Sequence, residues 1–210
     1  MSRTVPVSSE FGTDRGLPID RYYIEKFLKK NKKHIKGRIL EIAEDTYSRK
    51  FADYSSSKEP VFETMHYDGK ETNSTIIGDL TNLENLPVDR YDCFICTQTY
   101  NFIFDVQKAI KGSFQLLKPG GIVLATVGGI SQISRYDMDR WGDYWRFTDK
   151  SISRLFKNAG FSKVGVVTMG NSLAASGFLQ GLVVEDFPER KKLDEKDEDY
   201  QMIIGVSAIK

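Results

Sequence analysis

Short, almost wholly apolar runs alternate with segments of helical period along most of this chain. That alternation constrains its fold more than any other feature. RILEIA begins at Arg38, VFETMHYD at Val61, STIIGD at Ser74, YDCFICT at Tyr91 and IVLATV at Ile122. Runs of this length, rich in β-branched and aromatic residues, are strands. YDCFICT is apolar on both faces, which suits a central strand of a parallel sheet, covered on both sides. Between the runs, 104–117 carries Val106, Ile110, Phe114 and Leu117 at helical spacing, and Lys118-Pro119-Gly120-Gly121 stops it. Thr148 is placed to cap a helix through 158, with Ile152, Leu155, Phe156 and Ala159 inward, before Gly160 ends it. FSKVGVVTMG, beginning at Phe161, is a sixth strand, 172–184 a further helix, and MIIGVSAI, beginning at Met202, the last strand. A charged loop, ERKKLDEKDEDY, stands where a crossover helix would precede that strand, so the last strand is expected to run antiparallel. The expected fold is α/β: a seven-stranded, mostly parallel sheet with helices on both faces and an antiparallel last strand.

The 210 residues are 40% hydrophobic and 12% aromatic, enough apolar material for a core without staples. Thirty basic and 29 acidic residues leave a net charge of +1, which offers no general attraction to nucleic acid or an anionic membrane. No run is long and apolar enough to cross a bilayer, and the first residues lack the apolar core of a signal peptide. The expected location is cytoplasmic. Cys93 and Cys96 have the C-x-x-C spacing, but positions three apart on a strand face opposite ways, so they are expected as two core residues. The two histidines stand far apart and in no ligand pattern, so no metal is expected. Residues 1–36 are expected as an irregular arm and a helix, from 19 or 20 to about 30, with Tyr23, Phe27 and Leu28 on its apolar face. Residues 37–210 form the main domain.

The strand ends, the LLKPGG turn and the antiparallel tail resemble the class I, Rossmann-like, S-adenosylmethionine-dependent methyltransferases. The resemblance covers roughly 37–210. A narrower likeness, in FGTDRGLPIDRYYIEKFL, TIIGDLTNLENLP, YDCFICTQTYNFI and SRYDMDRWGDYWRFT, is to small bacterial methyltransferases often associated with polysaccharide biosynthesis. The resemblance implies S-adenosylmethionine as cofactor, held across the carboxyl ends of the strands, with the arm folded over it. Glu41, ending the first strand, would meet the methionine ammonium directly or through water. Asp68, ending the second, would accept both ribose hydroxyls. Asp79 would accept from the adenine amine while Leu80 packs on the ring, and Thr97 and Gln98 would line the methionine end. Asp79 and Asp68 are also ordinary turn residues.

This family usually places a glycine-rich loop after the first strand. Here no glycine lies between Gly37 and Gly69, and Ala43 takes the position of the first. Glycine admits positive φ and close approach of backbone, but a cofactor without pyrophosphate needs no phosphate cradle. The methionine carboxylate needs a cationic or N–H-rich partner: Arg15 first, then Arg21 or Arg49, with Tyr22, Tyr23 and Tyr47 as hydroxyl donors.

The richest polar cluster, Ser134 to Arg146, follows the fifth strand and holds both tryptophans. Aromatic faces suit sugar rings, so Arg135, Tyr136, Trp141 and Trp145 are expected to bind the acceptor. Asp139 or Asp137 is expected as general base, with Tyr100 as a further choice. The same cluster also reads as a structural loop with internal ion pairs. The expected activity is methylation, at a hydroxyl, of a small molecule or a sugar in a glycan or glycolipid precursor. The rival is a non-catalytic, methyltransferase-like accessory subunit, motivated by the missing glycines. The neutral charge and the segment Thr97-Gln98-Thr99-Tyr100 speak against nucleic-acid methylation. LAASGFLQGLVV, within 172–184, is either a dimer face or a surface buried on the sheet.

Overall fold

The computed structural model describes residues 4–55, 58–68 and 74–210. Seven strands form one sheet: β1 (Arg38–Ile42), β2 (Val61–His66), β3 (Ile76–Ile77), β4 (Tyr91–Thr97), β5 (Leu117–Gly128), β6 (Lys163–Met169) and β7 (Ile203–Ile209). Their order is β3-β2-β1-β4-β5-β7-β6, with β7 antiparallel to both neighbours. The remaining pairings are parallel. The connection from β6 to β7 holds one eight-residue helix, Ser172–Leu179, and two short helical turns, Val184–Asp186 and Arg190–Asp194, and brings the last strand back antiparallel between β5 and β6.

Helices cover both faces. On one face lie α1 (Ile19–Lys30), the short α2 (Thr46–Phe51) and α6 (Ser172–Leu179), packed with Ile39, Cys93, Ile95, Ile122 and Leu124. On the other lie α3 (Val106–Leu116) and α5 (Asp149–Asn158), packed with Leu40, Phe94, Cys96, Val123 and Ala125. Alternate residues of each strand therefore enter opposite cores. Cys93 and Cys96 fall on different faces and are both buried and unpaired. A last four-residue turn of helix, α4 (Arg135–Met138), lies after β5.

Local chemistry accounts for the helix ends. Thr148 caps α5 by accepting from Ser151 N at 3.2 Å, while the Ser151 hydroxyl accepts from Thr148 N at 2.9 Å. Asn171 caps α6 and Asp105 caps α3. The helix expected over 172–184 is shorter: it stops at Leu179 because Gly181, at φ +67°, turns the chain against the arm, where a Cβ would lie 2.1 Å from Ser8 O. The small residues of α6 are used there: Ala174, Ala175 and Gly177 are buried beside Phe178, and Gly177 stands against Ile19 and Phe187.

Candidate active site

A cavity of about 1720 Å³ opens at the carboxyl ends of β1, β2, β4 and β5. A single small ligand needs roughly 300–1,000 Å³, so there is room for two. Its floor is made of strand ends, Glu41 to Glu44, Met65 to Tyr67, Gly78 to Thr81 and Thr97 to Thr99. One wall comes from the arm and α1, and another from the segment 131–146.

The first loop takes the shape glycine would give it, without glycine. Ala43 sits at φ +66° and donates from its N–H to Met65 O at 2.9 Å. Glu41 is only 4% exposed. Its two carboxylate oxygens accept from Tyr47 N at 3.1 Å and Ser48 N at 2.7 Å, fastening the loop and the start of α2 to β1. Burial pushes the Glu41 carboxyl up to about 7, although these N–H bonds pull the other way. The short α2 escaped sequence reasoning because what organises it is this carboxylate, not its own residues.

Asp79 Oδ1 accepts from Thr81 N at 2.7 Å and its hydroxyl at 2.8 Å, and Asp79 and Leu80 both line the cavity. Thr97 and Gln98 line it too. Gln98 is held at φ +50° by Thr126, whose O accepts its N–H at 2.8 Å. Asp68 is corrected. β2 ends at His66, so His66 and Tyr67 reach the cavity, while the Asp68 carboxylate lies 3.3 Å from His66 Nδ1, off the lining.

Arg15 is also corrected. Its guanidinium bridges Asp186 at 2.7 and 3.1 Å and Gly181 O at 3.3 Å, strapping the arm to the body and away from the cavity. Arg49 pairs with Asp45, Tyr22 with Asp194, and Tyr23 with Leu193 O. Of the groups expected at the carboxylate, Arg21 and Tyr47 remain on the cavity wall.

The segment 131–146 is a built loop. Asp143, its side chain 1% exposed, pairs through both oxygens with Arg146 at 2.5 and 2.9 Å and accepts from Ser134 N at 3.0 Å. Burial alone would raise its carboxyl; Arg146 and the Ser134 N–H bring it below the usual range. Arg146 also donates to Gln132 O at 2.6 Å. Within this frame Arg135, Tyr136, Asp137 and Trp141 face the cavity, and Trp141 meets His66 and Tyr67 edge-on at 6.5 and 5.9 Å. Asp137 Oδ2 accepts from Ser134 Oγ at 2.6 Å.

Besides Asp68 and Arg15, three more expected residues fall outside the lining. Asp139, at the end of α4, is exposed to solvent. Trp145 donates its Nε1 to Ile103 O and Phe104 O at 3.1 and 3.2 Å and buttresses the loop. Tyr100 is fully buried, its hydroxyl bonded to Ser113 at 2.7 Å and its ring edge-on to Phe156. The next residue takes the wall position: Asn101, 4% exposed, donates to Trp145 O at 2.8 Å, and its O accepts from Tyr144 N and Trp145 N. A lone polar residue inside YNFIF was the available signal. Among the described residues, no three His, Cys, Asp or Glu side chains group as a metal site. No helix of the described residues is long and apolar enough to cross a membrane.

Among the described residues, nine acidic side chains and four arginines line the cavity. Its field therefore favours cations and opposes polyanions.

Residues 27–125 match a family model described as a methyltransferase domain. No curated protein matches the chain. Among solved structures, a S-adenosylmethionine-dependent methyltransferase from Mesorhizobium loti is 16% identical at a TM-score of 0.58, covering 91% of this chain and 98% of that one. One from Archaeoglobus fulgidus is 11% identical at 0.57, covering 90% and 94%. A phosphoethanolamine N-methyltransferase from Haemonchus contortus, in complex with S-adenosyl-L-methionine, is 15% identical at 0.54, covering 97% and 60%. At these identities the likeness establishes the fold.

Proposed function

We propose that this chain, which carries a methyltransferase domain on the class I fold, is a S-adenosylmethionine-dependent methyltransferase. Its acceptor is a hydroxyl of a small molecule or of a sugar in polysaccharide or glycolipid biosynthesis. The observation that carries the reading is the first loop: Ala43 holds positive φ beside a net-acidic cavity large enough for two ligands. The residues fit the cofactor. An acidic wall suits a sulfonium cation and discriminates against the neutral thioether product. Glu41 and the Ala43 loop would form the floor of the methionine end with Thr97 and Gln98, and Asp79 and Leu80 would take the adenine.

The bound cofactor supplies an already activated methyl group. The protein's part is to hold an acceptor in line and strip water from it. Trp141, Tyr136 and Arg135 line the wall that would orient the acceptor. Asp137, with one oxygen on Ser134, offers the other to a hydroxyl proton. The aromatic wall supports a sugar or similar ring. The rival of a non-catalytic subunit was motivated by the missing glycines; the left-handed Ala43 supports the binding reading over it.

Calorimetric titration with S-adenosylmethionine and S-adenosylhomocysteine tests the reading. Micromolar binding that Asp79→Ala weakens supports it, and sugar acceptors are then screened with Asp137→Asn as the comparison. Folded protein that binds neither ligand would sink it.

A further inference from the structure

Three adjoining aromatic rings stand exposed at the rim of the cavity. Phe104 is 70% exposed and Tyr144 48%, and both line the cavity. Their rings meet edge-on at 5.4 Å, and Trp145 lies nearly parallel to Phe104 at 6.2 Å. The cluster is held from behind. Trp145 is tied through Nε1 to Ile103 O and Phe104 O, and its backbone to Asn101, whose O also accepts from Tyr144 N at 2.9 Å. No role above employs Phe104 or Tyr144. Adjoining exposed aromatics at a cavity rim mark a contact surface, and rings already ordered lose little freedom when a ligand stacks on them.

The surroundings select the ligand. The patch is made of rings rather than aliphatic side chains, which suits the apolar face of a sugar. Asp105, next to Phe104 on the cavity wall, engages one oxygen with Lys108 N at 3.1 Å, and its other oxygen can accept from a sugar hydroxyl. The cavity volume of about 1720 Å³ leaves room for a chain even beside a ligand at the upper limit of roughly 1,000 Å³. Its nine acidic side chains oppose the diphosphate of a nucleotide-activated sugar. Resting on the sugar-acceptor reading above, we propose that the acceptor is an assembled, uncharged glycan of two or more units. The unit to be methylated lies in the cavity by Trp141, and its neighbour stacks on Phe104 and Tyr144, with Trp145 as a positioning residue behind them. A glycosyl-transfer reaction therefore comes first and supplies the acceptor, and methylation follows on the formed chain.

The test is calorimetry on protein saturated with S-adenosylhomocysteine. The probes are ladders of one to four units of glucose, mannose, galactose and N-acetylglucosamine, and the corresponding nucleotide-activated sugars. Wild type is compared with Phe104→Ala, Tyr144→Ala and Phe104→Trp. In the series that binds, two or more units are expected to bind roughly 2- to 10-fold tighter than one, the worth of an aromatic contact. Each alanine variant removes that gain and leaves the single sugar and S-adenosylhomocysteine within about twofold, which also shows that it is folded. Phe104→Trp keeps the gain, and nucleotide-activated sugars bind more weakly than free ones. A single sugar that binds as tightly as its chain overturns the platform while the sugar reading stands. So does a gain that survives both alanine variants, or tighter binding of a nucleotide-activated sugar. Sedimentation with phosphatidylcholine vesicles that Phe104→Ala abolishes would assign the rings to a lipid surface and overturn the platform as well. Protein that binds S-adenosylhomocysteine but no ladder overturns the platform and the sugar reading together; protein that binds neither overturns the cofactor reading too.

Discussion

Replacing Ala43 with glycine asks whether the first loop holds its backbone against the preference of its own residue. At φ +66° an L-residue is less favourable by about 1–2 kcal/mol than in its ordinary regions. The side chain is exposed, so removing the methyl gives up no packing. Against the relief stands the greater freedom of glycine in the unfolded chain, about 0.4–1 kcal/mol. The net expectation is a gain of about 0.5–1 kcal/mol, or about 1–4 °C in Tm for a chain of this size. Ala43→Val must move the other way, because a β-branched side chain tolerates positive φ worse than alanine. The backbone bond from Ala43 N to Met65 O keeps both variants in the same loop shape. Differential scanning calorimetry of the three proteins decides. A lower Tm for Ala43→Gly, with Ala43→Val unchanged, would refute the left-handed loop and with it the main structural support for a cofactor floor.

Glu41 yields a pH prediction. Its carboxyl rises from 4.5 to about 7 on folding, so the native state keeps a proton that the unfolded chain loses between these values. Stability therefore falls as pH rises through that window, and Glu41→Gln should gain on wild type between about pH 4.5 and about pH 7 in urea melts. A difference that stays flat with pH would place Glu41 in water. Arg146→Met strands Asp143, whose side chain is 1% exposed, at an expected cost of about 3 kcal/mol. Denaturant unfolding measures it, and a loss under about 1 kcal/mol would mean that the pair does not latch the 131–146 loop.

Periodicity determined the strands and the helices α1, α3 and α5, because which residues alternate or recur every three to four positions reflects which side of a strand or helix meets a core; the charged loop before the last strand, not periodicity, pointed to its antiparallel course. Local chemistry determined the Thr148 cap for the same reason: donor and acceptor are three residues apart. The site was legible only as a set of candidates. Arg15 and Arg21 lie six positions apart and look alike in sequence. One turned to Asp186, 171 positions away, and the other to the cavity. Tyr100, expected at the site, is buried in the core and Asn101 takes the wall, because a two-sided apolar run does not say which side chain the core of α3 and α5 will claim. Asp68, expected at the site, lies off it while His66 lines it, because β2 is carried to His66 by its pairing with Ile77 of β3. A charged or polar side chain satisfies whichever partner packing brings near, and long-range packing is what tertiary structure alone decides.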